Sequence, residues 1–244
     1  MAWDTAGNII NDAAVELALR TSDMADPYAS TDQGVALLCR LLKGLGQDMA
    51  RDYQWTHLQK QHVFNLVPGT DTYPLPADYG RNTDQTQWNR TQRMPMLGPL
   101  SAQGWQLLQS LTSAGVVDVY FRTMGNTFVV YPTPQSADTV AYEYISSHWV
   151  QPGNQSTPTT DVPTDTNDIL WFDRRLLVLG LKWAWLEAKS LPQAAAAENA
   201  YRSALARAQG GDGAAPVLSL NRQPFAANRM LDAANVPETG WGGV

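Results

Sequence analysis

The feature that most restricts the fold is a change of hydrophobic period partway along the chain. In "ASTDQGVALLCRLLKGLGQDMARDYQW", Val35, Leu38, Cys39, Leu42, Leu45, Met49 and Tyr53 recur at steps of three and four, which lines one face of a helix with apolar groups. From Lys60 the step becomes two. Val63, Asn65 and Val67 fall on one side of the chain and Phe64 and Leu66 on the other, as along a strand. After residue 168 the chain returns to apolar runs of helical length. Helix, strand and helix again in that order predict an α+β fold in which helical parts flank an antiparallel β region.

Local signals divide the chain further. A short first helix is predicted from Asn11 to Arg20, and Ser30 with Gln33 three residues on has the spacing of a capping box for the second. Cys39 lies on the core face of that second helix. Gly44 and Gly46 each cost about 1 kcal/mol there relative to alanine, which points to a close backbone contact. Pro68, Gly69 and Thr70 predict a hairpin turn into a short second strand. "ADYGRNTDQTQWNRTQRMPMLGPL" has no clear period, after which Ser101 can cap a short helix through Leu111 carrying Trp105 and Leu108. Val117, Val119 and Phe121, then Phe128 and Val130, then Val140, Tyr142 and Tyr144 predict a three-stranded meander with one apolar face. Gly125 and Asn126 mark its tight turn, and Pro132, Thr133 and Pro134 end its middle strand.

Residues 151–168 read as a long loop, and 169–189 as a helix apolar almost all round, either central or covered by neighbours. A last helix starts near Pro192 and runs to Gln209, with Gly210 and Gly211 as its stop and an Ala194–Ala197 run suited to close helix contact. Residues after it have no sustained period and read as an extended arm, ordered only against something else. The expected organisation is an N-terminal helical region at 1–58, a β-rich domain 59–150 with a short helix, a loop 151–168, a helical hairpin 169–211 completing the bundle, and the arm 212–244.

Few residues suggest chemistry. A formal net charge of −6 gives no general attraction for nucleic acid or anionic membrane. A single cysteine cannot form an intrachain disulfide, and "MAWDTAGNII" lacks the layout of a secretory signal, so a reducing cytoplasm is the expected folding compartment. Asp173, Arg174, Arg175 and Lys182 interrupt the most apolar segment, which argues against a membrane span. There is no G-x-S-x-G, P-loop or H-E-x-x-H pattern, and His57, His62 and His148 are not at helical ligand spacing. No catalytic residue, metal ligand or cofactor site is expected.

Two acidic sets offer alternatives. Asp161, Asp165 and Asp168 could gather a hard cation, although capping by Asn167 or Asp168 and Asx-turns account for them more simply. Glu143, Glu187 and Glu198 could include the carboxylate pair of a cell-wall glycan hydrolase, with Glu143 the best placed; Glu198 is four residues before Arg202, the spacing of a surface ion pair. A carbohydrate-binding module would instead need exposed rings such as Tyr144 and Trp149.

The order of "YPLPADYGR", "GNTFVVYPTP", "VAYEYISSHWV" and "RRLLVLGLKWAWLEAKSL" between short helices and a tyrosine-containing last helix resembles the head-to-tail adaptors of tailed bacteriophages. The likeness is to the tail tubular protein A type of short-tailed phages and covers roughly residues 10–210 in order of elements. That resemblance implies a helical bundle with an embedded antiparallel β domain, in a structural virion protein without catalytic residues, made in the host cytoplasm and placed in the neck. It implies a dodecameric ring between the portal protein and the tail nozzle, with DNA passing through the centre and no membrane span. Partner contacts are expected at Leu218, Leu220, Phe225, Met230 and Trp241 in the arm, and at Tyr142 and Tyr144 on the strand-rich domain.

Overall fold

The described residues form five α-helices and three small sheets. The computed structural model describes residues 3–110 and 118–213, and the chain as far as Asp212 forms one compact unit. Leu111 and Val117, and the arm positions Leu218, Leu220, Phe225, Met230 and Trp241, lie outside the described residues.

Strand β1, Asp4–Thr5, leads into α1, Ala6–Glu16. The helix starts at Ala6 rather than Asn11 and stops at Glu16 rather than Arg20. Ala6, Ile9, Ile10, Ala13 and Ala14 already carry the helical period and are all buried, and Ala18 breaks it with a positive φ of 55°. Helix α2, Gln33–Asp52, buries Val35, Leu38, Leu42, Leu45 and Met49 as its spacing predicts. Its cap is Asp32, whose carboxylate accepts from the Gly34 amide at 2.8 Å; Ser30 caps the turn before it, accepting from the Asp32 amide at 3.2 Å. The helix cap thus lies two residues beyond the serine that the capping-box spacing points to. Cys39 is half-buried against the core, and its thiol faces the Pro27 carbonyl at 3.9 Å.

A 3₁₀ turn, Thr56–Leu58, precedes β2, Gln59–Asn65. Then come β3, Thr72–Pro74; β4, Tyr79–Asn82; β5, Trp88–Asn89; β6, Met94–Pro95; α3, Ala102–Ser110; β7, Tyr120–Met124; β8, Thr127–Tyr131; and β9, Thr139–Ser146. Ser101 does cap α3, accepting from the Gly104 amide at 3.1 Å, and Trp105 and Leu108 are buried. Two expected pairings are not formed. β2 and β3 are not a hairpin: β2 pairs antiparallel with β9, while β3 pairs with β8. β7 and β8 are a hairpin about Gly125, but β9 leaves them and becomes the centre of a second sheet, with β2 on one side and β4 and β5 on the other. Period two fixes which face a strand buries, but not its neighbour.

The two sheets still share one apolar core, which unites Leu66, Tyr73, Leu75, Met96, Phe121, Phe128, Val130, Val140, Tyr142 and Tyr144. Its axis is a stack of rings. Phe121 lies on Phe128 with centroids 4.9 Å apart, and Phe128 on Tyr142 at 5.2 Å, the rings of both pairs nearly parallel.

Past β9 the chain makes β10, Val150–Gln151, and β11, Ile169–Leu170, which pairs with both β10 and β1. Residues 169–170 are therefore strand, and α4 is Arg174–Ala188, capped by Asp173, whose carboxylate accepts from the Leu176 amide at 3.1 Å. Its all-round apolarity fits a central position: α4 packs against α1, α2 and the last helix, α5, Ala194–Asp212. Close approach comes from Gly180, where an added Cβ would stand 2.5 Å from Leu45, rather than from Ala195 and Ala196, which are exposed. Helix α5 runs through Gly210 and Gly211 instead of stopping there. Hydrogen bonds from the Thr56 amide and hydroxyl to the Asp212 carboxylate, both 2.8 Å, and from the Tyr53 hydroxyl to the Gln209 carbonyl at 3.1 Å hold that last turn.

Of the two glycines that suggested a close contact, only Gly46 makes one. A Cβ there would fall 2.1 Å from the indole of Trp149, whereas nothing lies within 4 Å of one at Gly44. Gly46→Ala should therefore lower unfolding free energy by about 1–3 kcal/mol through overpacking, and Gly44→Ala should raise it by up to about 1 kcal/mol. Urea denaturation of the two variants checks both signs.

Candidate interaction surface

The outer face of the β2–β9–β5–β6 sheet carries a groove of about 520 Å³ lined by Gln61, Gln85, Thr86, Trp88, Arg90, Arg93, Ala141 and Glu143. Register explains its shape. Val63, Ala141, Trp88 and Pro95 are successive cross-strand partners, so the small Ala141 lies between two larger side chains and leaves a hollow above the middle strand. Gln61 and Glu143 form the next pair along.

The arginine wall is held from beneath. The buried Asp138 carboxylate accepts from the Asn89 amide group at 2.8 Å and from Gln92 at 2.6 Å, and the Arg90 amide donates to the Thr139 carbonyl at 2.8 Å. Arg93 adopts a positive φ of 59° in this turn. Arg90 and Arg93 are exposed, and neither forms an ion pair among the described residues. The opposite rim is sealed to β9 by Thr86, whose hydroxyl accepts from the Glu143 amide at 3.1 Å. A second, smaller hollow of about 270 Å³ between α4 and α5 is lined by Leu179, Leu186, Ala196 and Ala200 among others.

Acidic chemistry is not assembled in the groove. Glu143 is its one lining carboxylate and is hydrogen-bonded by Gln59, while Glu187 and Glu198 lie on α4 and α5; Glu198 pairs with Arg202 at 2.6 Å. In the 151–168 loop two of the carboxylates serve the backbone and Asp161 a side chain of α2. Asp168 is buried and accepts from the Thr164 and Asp165 amides at 2.7 and 2.9 Å, Asp165 accepts from the Asn167 amide at 2.8 Å, and Asp161 takes a bond from Gln47 at 2.8 Å. Asp165 makes an Asx-turn, and the helix cap expected at Asn167 or Asp168 belongs to Asp173. No group of three or more His, Cys, Asp or Glu suited to a metal occurs among the described residues.

The aromatic positions expected to face a partner or a sugar are inside the chain. Tyr142 is 1% exposed, Tyr144 5% and Trp149 0%. Tyr142 and Tyr144 belong to the β core, which corrects their assignment to a partner surface, and neither Tyr144 nor Trp149 presents a ring to a glycan. The residues that do form the open face, Trp88, Arg90 and Arg93, come from the stretch that showed no period. Two-residue strands are too short to display one; the legible signal was the mixture of indole and guanidinium in "QWNRTQR".

His57 sits among Trp3, Trp55 and Phe172, and burial lowers the pKa of its imidazole despite the nearby Asp212. Burial likewise lowers that of His62, which packs on Phe64 and Tyr142.

A family model described as SU10 adaptor protein matches residues 4–222. The chain belongs to that family. These are phage head-to-tail adaptors, as the resemblance of its motifs implied, and the family's role is structural. No curated protein matches the chain. For an adaptor the relevant chemistry is contact, and a virion neck location follows from the family. Among the described residues no helix is long and apolar enough to cross a membrane.

The adaptor's β region is tied down by one carboxylate. Asp78 accepts from Lys60 at 2.7 Å, from the Tyr144 hydroxyl at 2.8 Å and from the Ser146 hydroxyl at 2.8 Å. Burial alone would raise its pKa, but these three donors outweigh burial and hold it at about 2. A depressed carboxyl contributes stability that is complete above its unfolded value, about 4, and is lost as pH falls through about 2. Asp78→Asn should therefore cost about 1–2 kcal/mol at pH 7, with the difference from the native chain shrinking between about pH 4 and pH 2. Denaturation curves at pH 7 and pH 3 test it.

Proposed function

We propose that this adaptor forms a ring, dodecameric as in the related tail tubular adaptors, that joins the portal to the tail nozzle and surrounds the passing DNA. Membership of the adaptor family over residues 4–222 carries the reading. The site agrees with it. The groove is open, with a single carboxylate where glycan hydrolysis would call for two, and its rim is fixed by the bond from the Glu143 amide to the Thr86 hydroxyl. We take residues 59–150 as a β module carried on a helical frame of 1–58 and 169–212, with the frame giving rigidity and the module giving side-chain variety. The net charge of −6 suits a channel that lets DNA slide, since few phosphate contacts mean little counterion release.

In the arm, Leu218, Leu220, Phe225, Met230 and Trp241 are proposed to seat on the portal or on an adjacent ring member. Ordering that segment costs about 1–2 kcal/mol per residue, which the anchors and new backbone bonds must offset on docking. Because Asp212 closes the last turn of α5 onto Thr56, the cut that isolates the arm falls after Gly213.

Two measurements follow. Native mass of the full chain with and without its portal protein should reveal a multi-subunit ring; a chain that remains monomeric in both would exclude it. A chain ending at Gly213 should keep the native thermal transition within a few degrees yet lose stable portal binding, and Phe225→Ala or Trp241→Ala should weaken binding partially, by about tenfold each. Undiminished binding by the truncated chain would mean that the arm is not the docking element.

A further inference from the structure

The groove on the sheet face has a charge complement elsewhere on the same chain. Asp23 and Asp26 are exposed in the loop between α1 and α2, and Asp165 is exposed in the loop before β11. The two loops are joined, since the Thr166 hydroxyl donates to the Asp26 carboxylate at 2.6 Å. They are also fixed to the frame: Asn11 exchanges two 3.0 Å bonds with the backbone of Met24, and the Gly7 amide donates to the Thr166 carbonyl at 2.9 Å. None of these three carboxylates forms an ion pair among the described residues, and neither does Arg90 or Arg93. Among the described residues, then, the chain carries exposed acidic loops and a groove with two arginines and one glutamate, Glu143; neither the three loop carboxylates nor the two arginines have an ion-pair partner, and the two sets share no residue.

We propose that the groove bounded by Trp88, Arg90 and Arg93 receives the Asp23, Asp26 and Asp165 loops of a second copy of this chain. Such a contact is heterologous, different on its two sides, and it is the kind that closes into a ring when the rotation per subunit fits. Trp88 supplies flat apolar area beside the two guanidiniums, and indole with arginine is a common make-up for the energetic centre of a protein interface. Gln61 and Gln85 supply amides for loop carbonyls and hydroxyls. Like charges facing one another disfavour other pairings, so the same groups that attract set the direction around the ring. The proposal rests on the ring reading and names the surfaces that would make it.

The test uses the full chain and its oligomeric mass across a concentration series, at low and at 0.5 M salt. Arg90→Glu with Arg93→Glu, and separately Asp23→Lys with Asp165→Lys, should each raise the assembly midpoint by about tenfold or more, and high salt should do the same to the native chain. Mixing the two variants should restore assembly as alternating rings. The acidic groove of one then takes the basic loops of the other, whose native groove takes the first variant's native loops. Joining all four changes in one chain should recover rings to within about threefold of the native midpoint. The milder pair Arg90→Gln with Arg93→Gln, with thermal unfolding as a folding control, guards against a charge reversal that damages the turn over Asp138. Rings in the native chain that are indifferent to salt and to both reversals overturn this contact while leaving the ring reading standing. A native chain that never assembles, with portal or without, overturns the ring reading itself. Submicromolar duplex DNA binding that both arginine variants abolish, with assembly unchanged, assigns the groove to phosphates and not to a second copy.

Discussion

The contact between Trp149 and Gly46 is the constraint on which the rest of this structure depends. Trp149 leaves the strand region just after β9 and is fully buried in the helical core, packed against α2 at Gly46, where a side chain would leave it no room. Its indole N–H has no hydrogen-bond partner among the described residues, so shape alone sets the ring. The unpaired N–H is a cost that the surrounding contacts must exceed. With Trp149 seated, Val150 pairs with Leu170 in the small β1–β11–β10 sheet, and Leu170 in turn pairs with Asp4. The start of the chain, the exit from the β region and the entry to α4 are thereby brought to one place.

Strand β9 carries this constraint into the β region. Val140, Tyr142 and Tyr144 point into the β core, while Ile145 belongs to the helical core. β9 pairs with β2 from Thr139 to Ile145 and, on its other edge, with β4 and β5. Asp78 then joins Lys60 of β2 to Tyr144 and Ser146 of β9, placing a three-donor carboxylate at the junction of the two cores. A strand buried on one face and satisfied on both edges is a stiff beam. Its outer face, with Ala141 between Val63 and Trp88, is where that stiffness becomes a shaped surface.

For a protein whose work is contact, this arrangement puts hydrogen bonding where it positions charges. Asp138, Asn89 and Gln92 spend their polar atoms on the turn that carries Arg90 and Arg93, and Asp168 and Asp165 spend theirs on a loop. Of the carboxylates that resembled a metal set or a catalytic pair, Asp161, Asp165, Asp168, Glu143 and Glu198 are each held by a donor or ion-pair partner. Aromatic side chains, which made the β region look like a binding platform, form its core stack instead.

Much of the helical frame was determined by sequence alone, because a helix closes its hydrogen bonds within itself and its buried face is written at steps of three and four. The buried face of α2, the apolar character of α4 and the capped α3 were legible for that reason, as was the Gly125 turn between β7 and β8. Strand faces were legible too: Phe121, Phe128, Val130, Val140, Tyr142 and Tyr144 do share one core. Strand partners were not, since an alternating pattern is satisfied equally by any neighbour, and only the packed chain put β9 beside β2 instead of β8. Helix ends were decided by tertiary bonds as well. Gly210 and Gly211 would stop an isolated helix, yet α5 continues because Thr56, far away in sequence, holds Asp212. The groove belongs to the same class: its residues come from β2, the turn before β5, β5, the turn after it and β9, and no local period could bring them together.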